Sequence, residues 1–222
     1  MEGQKLIRAQ ISKRRQGPPT RIQRINEARI LEAAEEIFAL NGYSGAVLER
    51  IAERAGISKP NLLYYFKSKK ILYQEVLEHT VETWLVPLEE IEESDEPAEA
   101  FERYIRIKVE YSRTHPFASK VWANELIHGA PHIGRYLKRR LQPLIDEKAR
   151  IIEHWIKQGK MDPIDPYHLF FIIWAATQTY ADFGEQAAIV KGKKQLTKAD
   201  FDTAADTITA IVLKGTGMVG AG

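Results

Sequence analysis

Hydrophobic residues along the chain recur at helical spacing, and no β-type alternation of any length appears. Ile30, Ala33, Ala34, Ile37, Phe38 and Asn41 share one stripe of a first helix over 26–41, with Glu27, Glu32, Glu35 and Glu36 off that stripe and Asn41-Gly42 as its stop. Ile51, Ala52 and Ala55 form the apolar face of a second helix, which Gly56 ends. Ser58 caps a third, with Pro60 in its first turn, where the amides have no intrahelical partner to lose. That helix carries Lys59, Asn61, Tyr64 and Tyr65 around Leu62, Leu63 and Phe66. Ser68 caps a fourth, in which Ile71, Leu72, Val76 and Leu77 lead on to Trp84, and Pro87 closes it.

Prolines and glycines divide the chain beyond Pro87. Pro97 opens a helix through Arg113 and Pro116 another to His128; Gly129-Ala130-Pro131 interrupts, and a long helix runs from Ile133 to Gln158, where Gly159 stops it. Asp165 as cap and Pro166 at the first position open a strongly apolar helix. Its run from Leu169 to Ala176 is apolar on every side yet too short to span a bilayer, which predicts a face covered by a second copy of the chain. A final helix over Ala199 to Lys214 completes that helix-bundle interface. The chain is therefore predicted to be all-α. Residues 1–24 read as a flexible basic arm, 25–67 as a three-helix helix-turn-helix domain, 68–214 as a larger helical domain, and 215–222, GTGMVGAG, as a disordered tail.

The segment from Leu48 to Phe66 gives this architecture a chemistry. Two short amphipathic helices meeting at a glycine also make an ordinary αα-hairpin, so the turn alone does not decide. Charge adds to it. Residues 1–70 hold fourteen Lys and Arg against seven Asp and Glu, whereas 71–222 hold eighteen against twenty-three, so the formal total of +2 conceals a polar molecule. Basic charge gathered beside the turn suits a polyanion, because each phosphate contact releases condensed counterions. A solvated basic face is the bland alternative. Lys5, Arg8, Lys13, Arg14, Arg15, Arg21 and Arg24 precede the motif, and Gly17-Pro18-Pro19 prevents one continuous helix through them. An arm of this kind tracks phosphates or enters a narrow minor groove. A cleavable targeting peptide is not expected, since no apolar core of sufficient length comes after the charges. The candidate DNA contacts are Ser58, Lys59, Asn61, Tyr64, Tyr65, Lys67 and Lys69.

The string AGISKPNLLYYFKSKKILY, within residues 27–77, resembles the signature of TetR-family transcriptional regulators, roughly I-A-x-x-A-G-[VI]-S-x-x-x-L-Y-x-[HY]-F-x-[ST]-K-x-x-L. The resemblance implies a three-helix DNA-binding domain joined through a fourth helix to a larger helical domain that dimerises and binds an effector. Two positions depart from the pattern. Ala46 stands where many members have a phosphate-touching Thr at the start of the second helix, leaving Ser44 to cap instead, and Leu63 stands where many have Tyr. Residues 84–184, including WLVPLEEI and IDEKARIIEHWIKQGKMDPIDPYHLFFIIWAATQTYADF, are similar to the effector domain of the pyrimidine-utilisation (Rut) regulators, and the NLLYYF variant fits the same subgroup. This implies uracil or thymine as effector.

In the helix after Pro166, Trp174, Gln178 and Asp182 stand at i, i+4 and i+8, where apolar residues would serve packing better. A pyrimidine needs an aromatic surface and a group able to pair its donor and acceptor edge; Trp174 offers the first and Gln178 or Asp182 the second. Trp84, Trp122 and Glu125 are candidates from other helices. The same side chains also suit a core in which Gln178 and Asp182 pair across a dimer interface.

Other constellations are weaker. His128 and His132 are separated by Gly129 and Pro131, which favours a polar loop over a metal pair, and the acidic run from Glu89 to Glu96 reads as a solvated helix end. Cysteine is absent, which removes disulfides and thiol nucleophiles and is compatible with the cytoplasm. No GxSxG, Walker A, Rossmann glycine fingerprint or HExxH appears, so nothing recommends an enzyme, a metal or a cofactor. At 222 residues and 44% hydrophobic content the chain can bury one small and one larger core, with no membrane partner expected. Three functions compete: a homodimeric repressor on a palindromic operator, released by a small effector; an architectural DNA-binding protein without ligand; and an enzyme carrying the first domain as an appendage. A sharp DNA consensus and a ligand that weakens the complex would select the first.

Overall fold

The computed structural model describes residues 20–218, and ten helices account for the regular structure among them. The Thr20 hydroxyl accepts from the Gln23 amide at 3.2 Å while the Gln23 side chain accepts from the Thr20 amide at 2.8 Å. This reciprocal cap starts α1 (Arg21–Gly45) ahead of its apolar stripe. Arg21 and Arg24 therefore belong to a helix and not to the predicted basic arm, whose residues 1–19 lie outside the described part. Gly42, at φ +66°, breaks α1 where the sequence predicts a stop, and one further turn comes after the kink. Ser44 lies in that turn, so α2 (Leu48–Arg54) begins at Val47 without the side-chain cap expected of Ser44.

Gly56, at φ +67°, makes the turn out of α2. A β-carbon there would come 2.7 Å from the Arg29 guanidinium, the movable end of a flexible side chain, so it is the left-handed backbone that calls for glycine. Ser58 caps α3 (Lys59–Tyr65) by accepting from the Asn61 amide, and Ser68 caps α4 (Lys69–Glu89) by accepting from that of Ile71. Pro87 does not close α4 but sits in its last turn. The ring's fixed φ is helical and only one amide donor is lost there, while the buried Lys148 ammonium donates to the carbonyls of Glu89 and Ile91 just beyond.

The larger part keeps the predicted divisions: α5 (Pro97–Thr114), α6 (Pro116–Ile127), α7 (Gly134–Lys157), α8 (Pro166–Asp182) and α10 (Lys198–Gly215). The Asp165 carboxylate caps α8 by accepting from the His168 amide at 3.0 Å. A short α9 (Gly184–Val190), not predicted from the sequence, turns the chain back after α8. Its exit loop is stapled to α10 by Asp200, which accepts from Lys193 and from the amide and hydroxyl of Thr197.

One hydrophobic core runs through both parts. Ile30, Phe38, Ile51 and Leu62 fill the small end and Phe101, Ile105, Trp155 and Phe170 the large one, with α4 contributing to both and α6 lying against α1. α8 turns Leu169, Phe170, Ile173 and Thr177 inward, whereas Phe171 and Ile172 are about half exposed, and Ile211 on α10 is exposed as well. The expected tail from 215 is corrected. Thr216 and Met218 are buried, and the Thr216 carbonyl accepts from the Asp162 amide at 2.8 Å, so packing continues to residue 218. No helix among the described residues is long and apolar enough to cross a membrane.

Candidate ligand cavity and DNA-reading surface

Helices α4 to α8 converge on a cavity of about 50 Å³. Its aromatic wall is Trp84 from α4, Tyr104 from α5, Trp122 from α6 and Trp174 from α8, with Val81, Leu85 and Leu141 completing the apolar lining. Each indole is held. The Trp84 and Trp122 rings meet edge to face with centroids 5.7 Å apart, and the Trp174 Nε1–H donates to the buried Tyr104 hydroxyl at 2.8 Å. One turn beyond Trp174, Gln178 brings an amide to the same cavity. That amide makes no hydrogen bond to another described residue, which leaves a donor and an acceptor facing the space.

Lys108 supplies the only cation of the lining among the described residues. It is 4% exposed, and its ammonium stands 4.3 Å from the centre of the Trp84 ring. Burial pushes its pKa down to about 7, and the nearby Asp182 works against that shift. Asp182 is not part of the lining and accepts from the Ser119 hydroxyl at 2.6 Å; burial raises its pKa, opposed by that hydrogen bond and by Lys108. The cavity thus offers flat π-surfaces, one free amide and one buried amine, which is the equipment for a small ring with a polar edge. No cluster able to hold a metal occurs among the described residues.

Of the residues nominated from the sequence, the structure brings Trp84, Trp122, Trp174 and Gln178 to one cavity and leaves Asp182, held by Ser119, and Glu125 outside its lining. The Glu125 carboxylate is turned away because backbone donors claim it: it accepts from the amides of His132 at 2.6 Å and Ile133 at 3.2 Å and faces His132 Nδ1 at 3.1 Å. Sequence reasoning missed Tyr104 and Lys108. Their signal was available, because Tyr104, Lys108 and Ser112 fall on the same stripe of α5 as Phe101, Ile105 and Val109. A lysine on a buried stripe is not part of a solvated face.

At the other end, α3 presents Asn61 and Tyr64 to solvent, with Lys67 just beyond. Ser58 spends its hydroxyl on the cap. Lys59 is exposed and paired with Glu49 of α2 at 2.5 Å, and Tyr65 accepts from the Asn26 side chain at 3.0 Å, which ties α3 to α1. Lys69 departs from the expected outward phosphate contact. Its ammonium donates to the carbonyls of Ser44 and Ala46 and lies 4.8 Å from the Tyr43 ring centre, drawn there by acceptors left free at the end of α1.

Residues 30–76 match the family model for bacterial regulatory proteins of the tetR family, and residues 77–219 match that for the C-terminal region of YcdC-like proteins. The chain is 43% identical over 199 residues to the HTH-type transcriptional regulator RutR of Escherichia coli K12, a match spanning 90% of this chain and 94% of that protein. The chain belongs to the TetR family. As a TetR-family member it is a transcriptional regulator with an N-terminal helix-turn-helix, and its relatives are regulators and not enzymes. Solved structures share the fold. A TetR-like transcriptional regulator from Rhodococcus sp. RHA1 superposes with a TM-score of 0.63 at 22% identity, covering 89% of this chain and 97% of that one. AibR in complex with isovaleryl coenzyme A and operator DNA gives 0.61 at 16% identity, covering 84% and 97%.

Proposed function

We propose that this TetR-family chain is a cytoplasmic, ligand-responsive repressor that binds a palindromic operator as a homodimer and is released by a pyrimidine such as uracil or thymine. The cavity carries the reading: three indoles, an amide without a hydrogen-bond partner among the described residues and a buried amine line a space of about 50 Å³. Aromatic faces beside an amide and an amine suit a flat ring with a polar edge. Gln178 pairs the donor and acceptor edge of the ring, Trp84, Trp122 and Trp174 take its faces, and Lys108 donates to a carbonyl oxygen. The 43% identity to RutR over most of both chains supports the same reading. At the DNA end, Lys59, Asn61, Tyr64 and Lys67 of two protomers address half-sites one helical turn apart. The exposed Phe171, Ile172 and Ile211 supply the apolar face for the second copy.

The test is calorimetric titration with uracil, thymine and a purine control, repeated in the presence of an operator duplex selected from random DNA. Micromolar pyrimidine binding that weakens the DNA complex is expected, and Gln178→Leu should weaken it at least tenfold. Silence toward both pyrimidines would remove the effector assignment, and unchanged affinity in Gln178→Leu would remove Gln178 from the site.

A further inference from the structure

Glu125 is the most enclosed carboxylate near the cavity and yet does not line it. It sits one turn along α6 from Trp122, on the same side of the helix, and what it holds is a loop. The two backbone amides it takes, those of His132 and Ile133, lie just after Gly129 and Ala130, both in the left-handed region at φ +85° and +55°. For alanine that conformation is strained, because its Cβ crowds the neighbouring carbonyl, and it persists only where the surroundings enforce it. Here they do, because the Ala130 amide also donates to the Glu125 carbonyl at 2.9 Å, so one residue secures the loop with both its backbone and its side chain.

The loop in turn carries a ring into the DNA-reading domain. His132 packs against Tyr43, at the kinked end of α1, with centroids 4.5 Å apart, and against Tyr73 of α4 at 5.2 Å. Gln74 of α4 donates to the His132 carbonyl at 3.2 Å, and the Tyr73 hydroxyl faces the Glu125 carboxylate; burial first and that carboxylate second hold its pKa above the usual phenol range. Tyr43 also backs the Lys69 ammonium that closes the turn between α1 and α2. A contiguous set of contacts therefore runs from Trp122 in the cavity wall through Glu125, His132 and Tyr43 to the start of the helix-turn-helix.

We propose that Glu125 is a positioning residue that conveys occupancy of the cavity to the DNA-reading domain by holding the strained 129–133 loop and its His132 ring against Tyr43 and Tyr73. A ligand that parts Trp84 from Trp122 moves α6, and Glu125 moves the loop with it. The role in effector response rests on the ligand-responsive function proposed for the cavity; the mechanical link does not.

Two measurements on the full-length protein decide it. Hydrogen–deuterium exchange of the ligand-free protein should show faster exchange in Glu125→Gln at 129–135 and also across the interface at 43–47 and 69–74, while segments around Tyr104 and Trp174 stay as in wild type. Faster exchange confined to 129–135 overturns the proposal. With uracil as probe and a selected operator duplex, coupling typical of such proteins, on the order of 5- to 150-fold, should fall below about threefold in Glu125→Gln, with each separate affinity changed by less than about threefold. Retained coupling overturns the proposal, and so does loss of uracil binding, which would put Glu125 in the cavity instead. His132→Leu, which keeps bulk but loses Nδ1, should reproduce the exchange pattern and serves where Glu125→Gln does not fold. If uracil fails to bind wild type, the pyrimidine assignment falls and the exchange pattern still decides the link.

Discussion

Lys108→Met tests whether the cavity amine is as enclosed as its surroundings indicate. Methionine keeps the unbranched stem and removes the titrating group, so packing changes little. The drop in pKa from 10.5 to about 7 corresponds to roughly 5 kcal/mol at 1.36 kcal/mol per pH unit, and relaxation around the charge reduces this to about 2–5 kcal/mol. The sign comes from proton counts. Between pH 7 and about 10.4 the unfolded chain holds a lysine proton that the native state has released, so stability rises with pH across that window and is lost as pH falls through 7. All four tryptophans, Trp84, Trp122, Trp155 and Trp174, lie in the part that contains Lys108, so urea denaturation monitored by tryptophan fluorescence follows the loss of the core around it. Wild type should gain about 2–5 kcal/mol relative to Lys108→Met between pH 6 and pH 10. Parallel pH profiles for the two proteins would refute a buried, shifted amine and leave Lys108 as a solvated side chain.

Two further outcomes are expected. Glu49→Gln frees Lys59 and removes a negative charge from the DNA-reading face, so operator affinity by fluorescence anisotropy should tighten roughly two- to fivefold, more at low salt; weaker binding would mean that Glu49 orients Lys59 productively. Phe171→Asp combined with Ile211→Asp places charge on the exposed apolar faces of α8 and α10, and sedimentation should then show monomers with unchanged helical circular dichroism. Persistence of dimers would locate the interface elsewhere.

Helix ends were the most legible part of this chain, because capping is local chemistry. Ser58, Ser68 and Asp165 could be assigned from their own types and the residues three positions on. The start of α1 is equally local in its cap, Thr20 with Gln23, but that pair lies inside a basic run whose composition reads as an arm. The indoles and Gln178 could be nominated as odd residues among apolar neighbours, yet only the fold shows that they share a cavity. Lys108 hid in the charged sequence of α5, although its phase on the buried stripe was readable. Glu125 marks the limit. Its place one turn from Trp122 made it a reasonable nominee, but whether a buried carboxylate looks toward a ligand or toward a loop depends on where residues 132 and 133 return, and no local pattern carries that.

The sharing of α4 has a practical corollary for anyone building sensors from this chain. The helix gives Leu72 and Tyr73 to the small end of the core and Leu85 to the cavity wall, and Val76, Leu77, Thr80 and Val81 between them are buried. There is no cut point at which a foreign reading head could be joined to this cavity by a linker. A functional chimera would have to carry α4 whole, together with Tyr43 and His132, and would inherit half of its interdomain surface from each parent; exchanging the head alone would strand Tyr73 against a mismatched partner.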